Sequence, residues 1–238
     1  MLNINKTKIK IYADGADIKD FKALMKLKYI HGYTTNPSLM RKAGVKNYKF
    51  FAKKVINIVK NKPISFEILG DTTEETERQA KEISSWGKSV YVKIPIMNTK
   101  KILNTELIGK LNRKGIKINV TAIFTTNQTK QILKYLGKKT QIVLSVFCGR
   151  IADTGVDPVI EIKKHLKLGK KFKNVKFLWA SVREPFNIVQ AENSRCHIIT
   201  VPPEILTKTK NFNKNLNSFS QETVQMFFDD AEKSKYKI

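Results

Sequence analysis

The stretch Val90-Tyr91-Val92-Lys93-Ile94-Pro95-Ile96 is the most strand-like run of this 238-residue chain, and a lysine stands at its centre. Its neighbours are mostly β-branched or aromatic, as in a strand that is buried on both faces. Burial disfavours the charged form of a lysine and lowers its pKa, so that a neutral amine can be present near pH 7. Such an amine attacks carbonyl groups and forms Schiff bases. Because the chain is rich in lysine, Lys93 could instead stand in this strand by chance. The residues on the other predicted strands distinguish a catalytic lysine from such a chance occurrence.

Short apolar runs recur along the chain and alternate with longer segments of helical spacing. The candidate strands span residues 9–13, 29–34, 64–69, 90–94, 116–121, 141–147, 175–180 and 197–201. The candidate helices span residues 18–27, 48–61, 73–86, 99–114, 127–136, 158–168 and 185–193. This alternation predicts a parallel sheet, and eight units in about 200 residues favour a closed (β/α)8 TIM barrel over an open doubly wound sheet.

The end of the chain predicts one further element and no second domain. Residues 220–233 have the pattern of a C-terminal helix, with Ser220 as its cap and Glu222 in its first turn. No linker or repeat interrupts the chain, so we expect a single α/β domain over residues 1–238. The sequence contains neither a GxGxxG motif nor a Walker loop, which weakens a nucleotide-binding alternative.

The charge of the chain raises the question of nucleic acid. Lysine and arginine number 45 against 20 acidic residues, a formal net charge of +25. The excess is nearly all lysine and is spread along helix-like segments, without basic runs that alternate with stacking aromatic residues. Nucleic-acid binding is therefore unlikely despite the charge. The same charge would attract anionic sugar phosphates.

Hydropathy and cysteine usage exclude several classes. No run of 18 apolar residues occurs, and the N-terminus lacks the apolar region of a signal peptide, so we expect a soluble, cytoplasmic protein without membrane contact. Cys148 and Cys196 lie in separate apolar stretches, and His31, His165 and His197 are scattered. This pattern predicts neither a disulfide framework nor a metal site, and we expect no metal and no cofactor.

Polar residues follow most of the predicted strands at the end where TIM barrels carry their active sites. The polar residues are Asp14, Thr34, Asn36, Glu67, Lys93, Asn119, Thr121, Ser145, Arg150, Ser181 and Arg183. The aromatic residue Phe147 lies among them. Taken singly, each has a structural alternative. Asp14 or Ser181 could cap a helix, Asn36 could form a turn, and Arg150 could pair with Asp153. Together they bring an amine, two carboxylates and two guanidinium groups to one mouth.

Five segments resemble one protein family, in the same order. Gly32-Tyr33-Thr34-Thr35-Asn36-Pro37-Ser38-Leu39 resembles the TTNPS signature of transaldolases, and Val92-Lys93-Ile94-Pro95 resembles their Schiff-base strand. Asn119-Val120-Thr121, the segment from Ser145 to Ile151, and Ala180-Ser181-Val182-Arg183 are similar to further family blocks. The first two motifs are specific, and the other three are persuasive by their order and spacing. The resemblance extends from the first predicted strand to the last.

The resemblance implies class I aldol chemistry on a (β/α)8 barrel. It implies that Lys93 forms the Schiff base with a ketose phosphate and that Asp14 is the acid/base at the breaking bond. It further implies that Glu67 and Thr121 hold and activate the catalytic water. Asn36 and Asn119 would bind the hydroxyl groups of the dihydroxyacetone unit, with Ser145 nearby. Arg150, Ser181 and Arg183 would bind the phosphate, a task that suits a guanidinium group. Thr34 is expected among the substrate-binding residues.

The resemblance leaves the fate of the three-carbon unit open. Within the family, Glu and Phe accompany transfer of the unit, and Gln and Tyr accompany aldolase activity, so Glu67 and Phe147 favour a transaldolase of the pentose phosphate type. A fructose-6-phosphate aldolase or a specialised sugar-modifying aldolase is the alternative. A non-catalytic barrel that binds phosphate or nucleic acid is less favoured, because Lys93 and both carboxylates are present. We also expect a homo-oligomer.

Overall fold

In the computed structural model, which describes residues 2–236, eight parallel strands close into a barrel in sequence order. The strands are β1 Lys10–Asp14, β2 Ile30–Thr34, β3 Ile64–Glu67, β4 Val90–Pro95, β5 Ile118–Ile123, β6 Ile142–Val146, β7 Val175–Trp179 and β8 Ile198–Val201. Strand β8 pairs with β1 and closes the barrel. The predicted (β/α)8 TIM barrel is therefore confirmed, and each predicted strand lies within two residues of its observed bounds.

Helices follow the strands and cover the outside of the barrel. They are α1 Ile18–Leu24, α2 Pro37–Lys42, α3 Tyr48–Val59, α4 Thr73–Ser84, α5 Thr105–Arg113, α6 Thr126–Tyr135, α7 Cys148–Ala152, α8 Pro158–Gly169, α9 Phe186–Asn193, α10 Pro203–Lys208 and α11 Leu216–Ser234. Short 3₁₀ turns span Ile4–Lys6 and Thr209–Asn211. Local sequence determines several helix starts: Thr72 and Thr125 each form a capping box with the residue three positions later.

Apart from shifts of up to three residues at helix ends, four of the helices α1–α10 differ from the predicted elements. The short helices α2, α7 and α10 follow β2, β6 and β8 directly and were not predicted, because one or two turns carry too little periodicity to recognise. Helix α5 begins at Thr105 instead of residue 99. Before it, Met97 and Leu103 form an isolated bridge, and the intervening residues form a turn.

The C-terminal helix is confirmed, but its predicted start was wrong. Asn215 is the cap, and its side chain accepts hydrogen bonds from the backbone N–H groups of Asn217 and Ser218. Ser220 and Glu222 therefore lie inside the helix instead of at its cap and in its first turn. Asparagine and serine cap helices about equally well, so the local sequence did not favour Asn215 over Ser220.

A small apolar layer fills the barrel interior below the carboxyl ends of the strands. Tyr12, Tyr91, Val143, Leu178, Ala180 and Ile198 form this layer, with Phe147 packed on it. Gly32 makes space for the ring of Tyr12 from the neighbouring strand. A Cβ at Gly32 would lie 2.6 Å from the ring carbon Cζ of Tyr12, closer than atoms can approach. The main core lies outside the barrel, between the strands and the helices.

Two expectations about the whole chain can be compared with the described residues. Within residues 2–236, no helix is both long enough and apolar enough to cross a membrane. Cys148 and Cys196 are both buried and are free in the structure.

Candidate active site

A cavity of about 160 Å³ opens at the carboxyl ends of the strands, above the interior layer. Every site residue predicted from the sequence lines this cavity, except Glu67. Three residues that were not predicted complete the lining: Leu178, Ala180 and Thr200. The strand ends therefore bring the predicted residues of all parts of the chain to one small space.

Lys93 projects from β4 into this cavity and is 7% exposed. Its Nζ lies 3.2 Å from Oε2 of Glu67 and donates a hydrogen bond of 3.2 Å to the backbone carbonyl of Thr35. In the register of the sheet, Lys93 stands opposite Glu67 on one side and Asn119 on the other. A carboxylate partner therefore lies within salt-bridge distance of the buried amine, a contact that the sequence did not indicate.

Asp14 ends β1, which stands three strands from β4 around the closed barrel. Its Oδ1 accepts a hydrogen bond of 2.7 Å from Thr34, whose hydroxyl lies 2.5 Å from that of Thr200. Burial raises the pKa of Asp14 above the ordinary value of 3.8, and the nearby charge of Lys93 and the Thr34 hydrogen bond partly oppose this shift. Asp14 does not cap α1, because Asp17 does so. Its carboxyl group is therefore available to the cavity.

A chain of hydrogen bonds fixes Asn119 in the barrel interior. Its Nδ2 donates to Oγ of Ser65 at 3.0 Å, and its Oδ1 accepts from Oγ of Ser145 at 2.6 Å. All three side chains are buried. Because both ends of the amide are engaged, its orientation is determined by β3 and β6. The remaining donor and acceptor capacity of the amide is turned to the cavity that Asn119 lines.

Thr121 carries a buried hydroxyl that has no hydrogen-bond partner among the described residues. The strand is irregular directly after it: Ala122 has a φ of 58°, and the register between β5 and β6 shifts between Val120 and Ile123. A positive φ is strained for alanine, and such strain is found preferentially at functional sites. An unpaired hydroxyl that lines a cavity can bind a ligand or a water molecule.

Asn36 serves a structural purpose as well as lining the cavity. It caps α2, and its Oδ1 accepts a hydrogen bond of 2.9 Å from the backbone N–H of Leu39, with Pro37 as the first helical residue. The turn alternative considered for this residue is therefore partly correct. Its amide nitrogen remains free to donate to a ligand.

Two arginines form a cationic end of the cavity. Arg150 comes from α7, and Arg183 follows β7 in the loop before α9. The suggested ion pair between Arg150 and Asp153 is wrong, because Asp153 pairs with Arg183 instead. The guanidinium carbon of Arg150 lies 6.0 Å from the ring centre of Phe147, at the outer limit of a cation–π contact.

Close contact between α7 and the loop after β7 brings the segments of the two arginines together. A Cβ at Gly149 would lie 1.6 Å from the carbonyl oxygen of Ser181, so only glycine allows α7 to approach the loop after β7. Ser181 has a φ of 63°, a conformation that is uncommon for residues with a side chain. Ser181 does not cap α9, because Pro185 occupies the cap position. Ser181 lines the cavity together with both arginines.

Thr200 is the polar lining residue that the sequence analysis missed. It lies on β8 two positions after Ile198, which belongs to the interior layer, so strand alternation places it on the interior face. A hydroxyl in the run Ile198-Ile199-Thr200-Val201 was the signal that could have identified it. Within residues 2–236, no group of three or more His, Cys, Asp or Glu side chains is placed to hold a metal ion.

The chain is similar in sequence to a known family and to several of its members. The family model described as "Transaldolase/Fructose-6-phosphate aldolase" matches residues 11–238. A "Probable transaldolase" from Dehalococcoides mccartyi is 32% identical over 83% of this chain and 88% of its own length. Another from Thermoanaerobacter sp. is 30% identical over 97% of this chain and all of its own length, and one from Methanococcus maripaludis is 31% identical over 90% and 94%.

Solved structures agree at the level of the fold. The crystal structure of KGPDC from Streptococcus mutans has a TM-score of 0.55 and is 10% identical, covering 84% of this chain and 89% of that one. At this identity the likeness shows a shared barrel alone. The family model and the relatives show more: this chain belongs to the transaldolase/fructose-6-phosphate aldolase family.

Proposed function

We propose that this protein is a transaldolase that transfers a dihydroxyacetone unit from a ketose phosphate to an aldose phosphate through a Schiff base on Lys93. The observation that carries the proposal is the position of this amine. Lys93 lines a small cavity together with Asp14, from the end of β1, and two arginines. A nucleophile, an acid/base and an anion-binding end are the groups that such a reaction needs.

Glu67 and Asp14 have environments suited to different proton transfers. Glu67 contacts the Lys93 ammonium, so it can accept the proton that the amine must lose before it attacks the ketone. Asp14 stands on another strand, β1, near the charge of Lys93. Its raised pKa suits a group that takes and returns the proton of the hydroxyl at the breaking carbon–carbon bond. Two carboxylates in unlike environments commonly divide such roles.

The substrate orientation follows from the two ends of the cavity. The guanidinium groups of Arg150 and Arg183, with the hydroxyl of Ser181, would bind the phosphate. Asn36, Asn119 and Ser145 would bind the hydroxyl groups of the three-carbon unit near Lys93, and Thr34 would orient Asp14 through the hydrogen bond described above. The unpaired hydroxyl of Thr121, together with Glu67, would hold the water that takes part in forming and hydrolysing the carbinolamine.

Release of the three-carbon unit, as in a fructose-6-phosphate aldolase, is the alternative within the family. Phe147 favours transfer, because its ring lines the cavity and cannot donate a hydrogen bond to a catalytic water. Sugar phosphates are the proposed substrates, in pentose phosphate metabolism in the cytoplasm. The excess of lysine supports attraction of such anions, and it remains a weak argument for nucleic acid.

We also propose that the protein is a homo-oligomer held in part by α11. None of the residues of this helix is buried. Its large apolar side chains are exposed as well: Leu216, Val224, Phe227 and Phe228 are each 60–80% exposed. Most helical stability in proteins comes from packing of an apolar face, and contiguous exposed apolar side chains mark interaction surfaces. Helix α11 carries four acidic residues and one lysine, whereas the chain as a whole has a net charge of +25. The acidic helix is therefore complementary in charge to a second copy of the chain.

Borohydride trapping tests the proposed reaction. With fructose 6-phosphate as substrate, borohydride should reduce an imine and attach the three-carbon unit to the peptide that contains Lys93. Lys93→Met should abolish labelling and turnover, and Lys53→Met, on the exposed face of α3, should change neither. Activity should persist in EDTA, since the proposed chemistry uses no metal. Labelling that persists in Lys93→Met, or activity that EDTA removes and a divalent ion restores, would contradict the proposal.

A further inference from the structure

A second cavity, of about 670 Å³, opens at the amino end of the same barrel. None of the residues that line the candidate active site lines this cavity. Its walls come from the first residues of several strands and from the segments that lead into them. Its polar lining residues include Lys8, Lys10, Tyr12, Tyr91, Lys176 and Arg195.

Two lysines face this mouth because of strand alternation. Lys10 stands two positions before Tyr12, and Lys176 stands two positions before Leu178. Tyr12 and Leu178 belong to the interior layer, so both lysines lie on the interior face of their strands. An apolar residue at these positions would extend the interior packing. The lysines instead place two ammonium groups at the opening.

The charge of the lining is strongly unbalanced. Lys8 and Arg195 join the two interior lysines, and within residues 2–236 none of these four cations pairs with a carboxylate. Among the described lining residues, Glu192 is the single acid. Its two oxygens already accept hydrogen bonds from the backbone N–H groups of Lys8 and Ile9, at 3.0 and 2.9 Å. A cleft lined by one sign of charge attracts ligands of the opposite sign.

The floor of the cavity is aromatic and uncharged. The rings of Tyr12 and Tyr91 contribute to it, and the Tyr91 hydroxyl donates a hydrogen bond of 3.0 Å to Oε1 of Gln141. Burial raises the pKa of Tyr12, so its phenol stays neutral at physiological pH. Aromatic side chains next to four cations suit a ligand that has a planar apolar part and an anionic part.

The same floor separates this cavity from the candidate active site. Tyr12 stands two positions before Asp14 on β1, and Tyr91 stands two positions before Lys93 on β4. One layer of side chains therefore lies between the two cavities, and a ligand in the lower one does not reach Lys93. The lower cavity is large enough for a small organic molecule, since ligand pockets commonly measure about 300–1,000 Å³.

We propose that the amino-terminal mouth of the barrel is a second binding site, for an anionic small molecule with a planar ring, of the size and charge of a nucleoside phosphate. The proposal does not depend on the reaction at the other end of the barrel. It rests on the two interior lysines, the engaged carboxylate of Glu192 and the neutral aromatic floor.

Calorimetric titration with magnesium-free ATP, at 0.15 M salt, tests this site in the full chain. Lys10→Glu/Lys176→Glu should weaken ATP binding at least tenfold. The control Lys53→Glu/Lys54→Glu makes the same charge change on the exposed face of α3 and should alter it less than twofold. Arg150→Ala/Arg183→Ala should leave binding unchanged, because these residues belong to the upper cavity. Tripolyphosphate, which lacks a ring, should bind at least tenfold more weakly than ATP.

Four results would overturn the proposal: no binding of ATP up to 5 mM, equal losses in the two charge-reversal variants, loss of binding in Arg150→Ala/Arg183→Ala, or equal affinity for tripolyphosphate. If Lys10→Glu/Lys176→Glu does not fold, as judged by circular dichroism, Lys10→Gln/Lys176→Gln replaces it. This milder variant should weaken ATP binding at least fivefold, and unchanged binding would refute the site.

Discussion

The ammonium group of Lys93 lies 3.2 Å from Oε2 of Glu67, across a strand pair in which the two residues stand opposite each other. The carboxylate compensates the charge of an amine that is otherwise buried, and it can accept the proton that the amine must lose to become a nucleophile. One contact thus serves both the folded state and the proposed reaction.

This contact predicts an asymmetric effect on stability. Lys93→Met should lower the free energy of unfolding by about 1–3 kcal/mol, because it leaves the partly buried Glu67 carboxylate without its partner. Adding Glu67→Gln should recover part of this loss, since the remaining side chain is neutral. Urea unfolding of the single and double variants at pH 7 measures both effects. A double variant less stable than Lys93→Met would show that the unpaired charge was not the cause.

Replacing either arginine at the rim should weaken the use of phosphorylated substrates. Arg150→Ala or Arg183→Ala should cost about 1.5–3 kcal/mol in kcat/KM for fructose 6-phosphate, the scale of a hydrogen bond to a charged group. Fructose, which has no phosphate, should be affected much less. Arg78→Ala, on the exposed face of α4, is the control. Equal losses on both substrates would assign a structural role to the arginines, for example through the Arg183–Asp153 ion pair.

Asp14 should show opposite effects on activity and stability. Asp14→Asn keeps an oxygen that can accept the Thr34 hydrogen bond, and it removes the acid/base, so kcat should fall by about 10²–10⁴-fold. Because burial raises the pKa of Asp14, folding disfavours its carboxylate. This cost is fully present above the raised pKa and disappears as the pH falls below 3.8.

Asp14→Asn should therefore be more stable than the wild type at pH 7, and the difference should shrink as the pH is lowered toward 4. Urea unfolding at several pH values measures it. A difference that grows on acidification would contradict the raised pKa. Asp157→Asn, at the exposed cap of α8, is the comparison at which no such gain is expected.

Phe147→Tyr should change the fate of the three-carbon unit. A hydroxyl on this ring could orient the water beside Thr121 and Glu67, so hydrolysis of the imine should compete better with transfer. The ratio of free dihydroxyacetone to transfer product, with and without erythrose 4-phosphate, should rise in the variant. Phe124→Tyr, on the ring that packs 5.7 Å from Phe147, is the control. Rapid release by the wild type, unaffected by the acceptor, would identify an aldolase.

The exposed face of α11 should hold copies of the chain together. Phe227→Ser/Phe228→Ser should shift the sedimentation coefficient at micromolar concentration from that of an oligomer to that of the monomer. Gln221→Ser/Gln225→Ser changes the polar side of the same helix and should have no effect. A wild type that sediments as a monomer, or an oligomer that both variants preserve, would contradict the proposed contact.

The sequence by itself determined the barrel and the strands on which the site residues lie. Strands buried on both faces, such as β4, are continuous apolar runs, and capping boxes such as Thr72–Glu75 mark helix starts locally. A polar residue at the end of such a run therefore has its position fixed by strand alternation and by the parallel topology. This is why Lys93, Asp14 and Asn119 could be assigned to one mouth before any distance was known.

Only the tertiary structure decided which side chains touch. That Glu67 pairs with Lys93, and that Asp153 pairs with Arg183 instead of Arg150, depends on strand register and on the approach of two loops at Gly149, which no local pattern encodes. The lower cavity was likewise invisible in the sequence. Lys10 and Lys176 lie 166 residues apart in a lysine-rich chain, and closure of the barrel is what brings them to one opening.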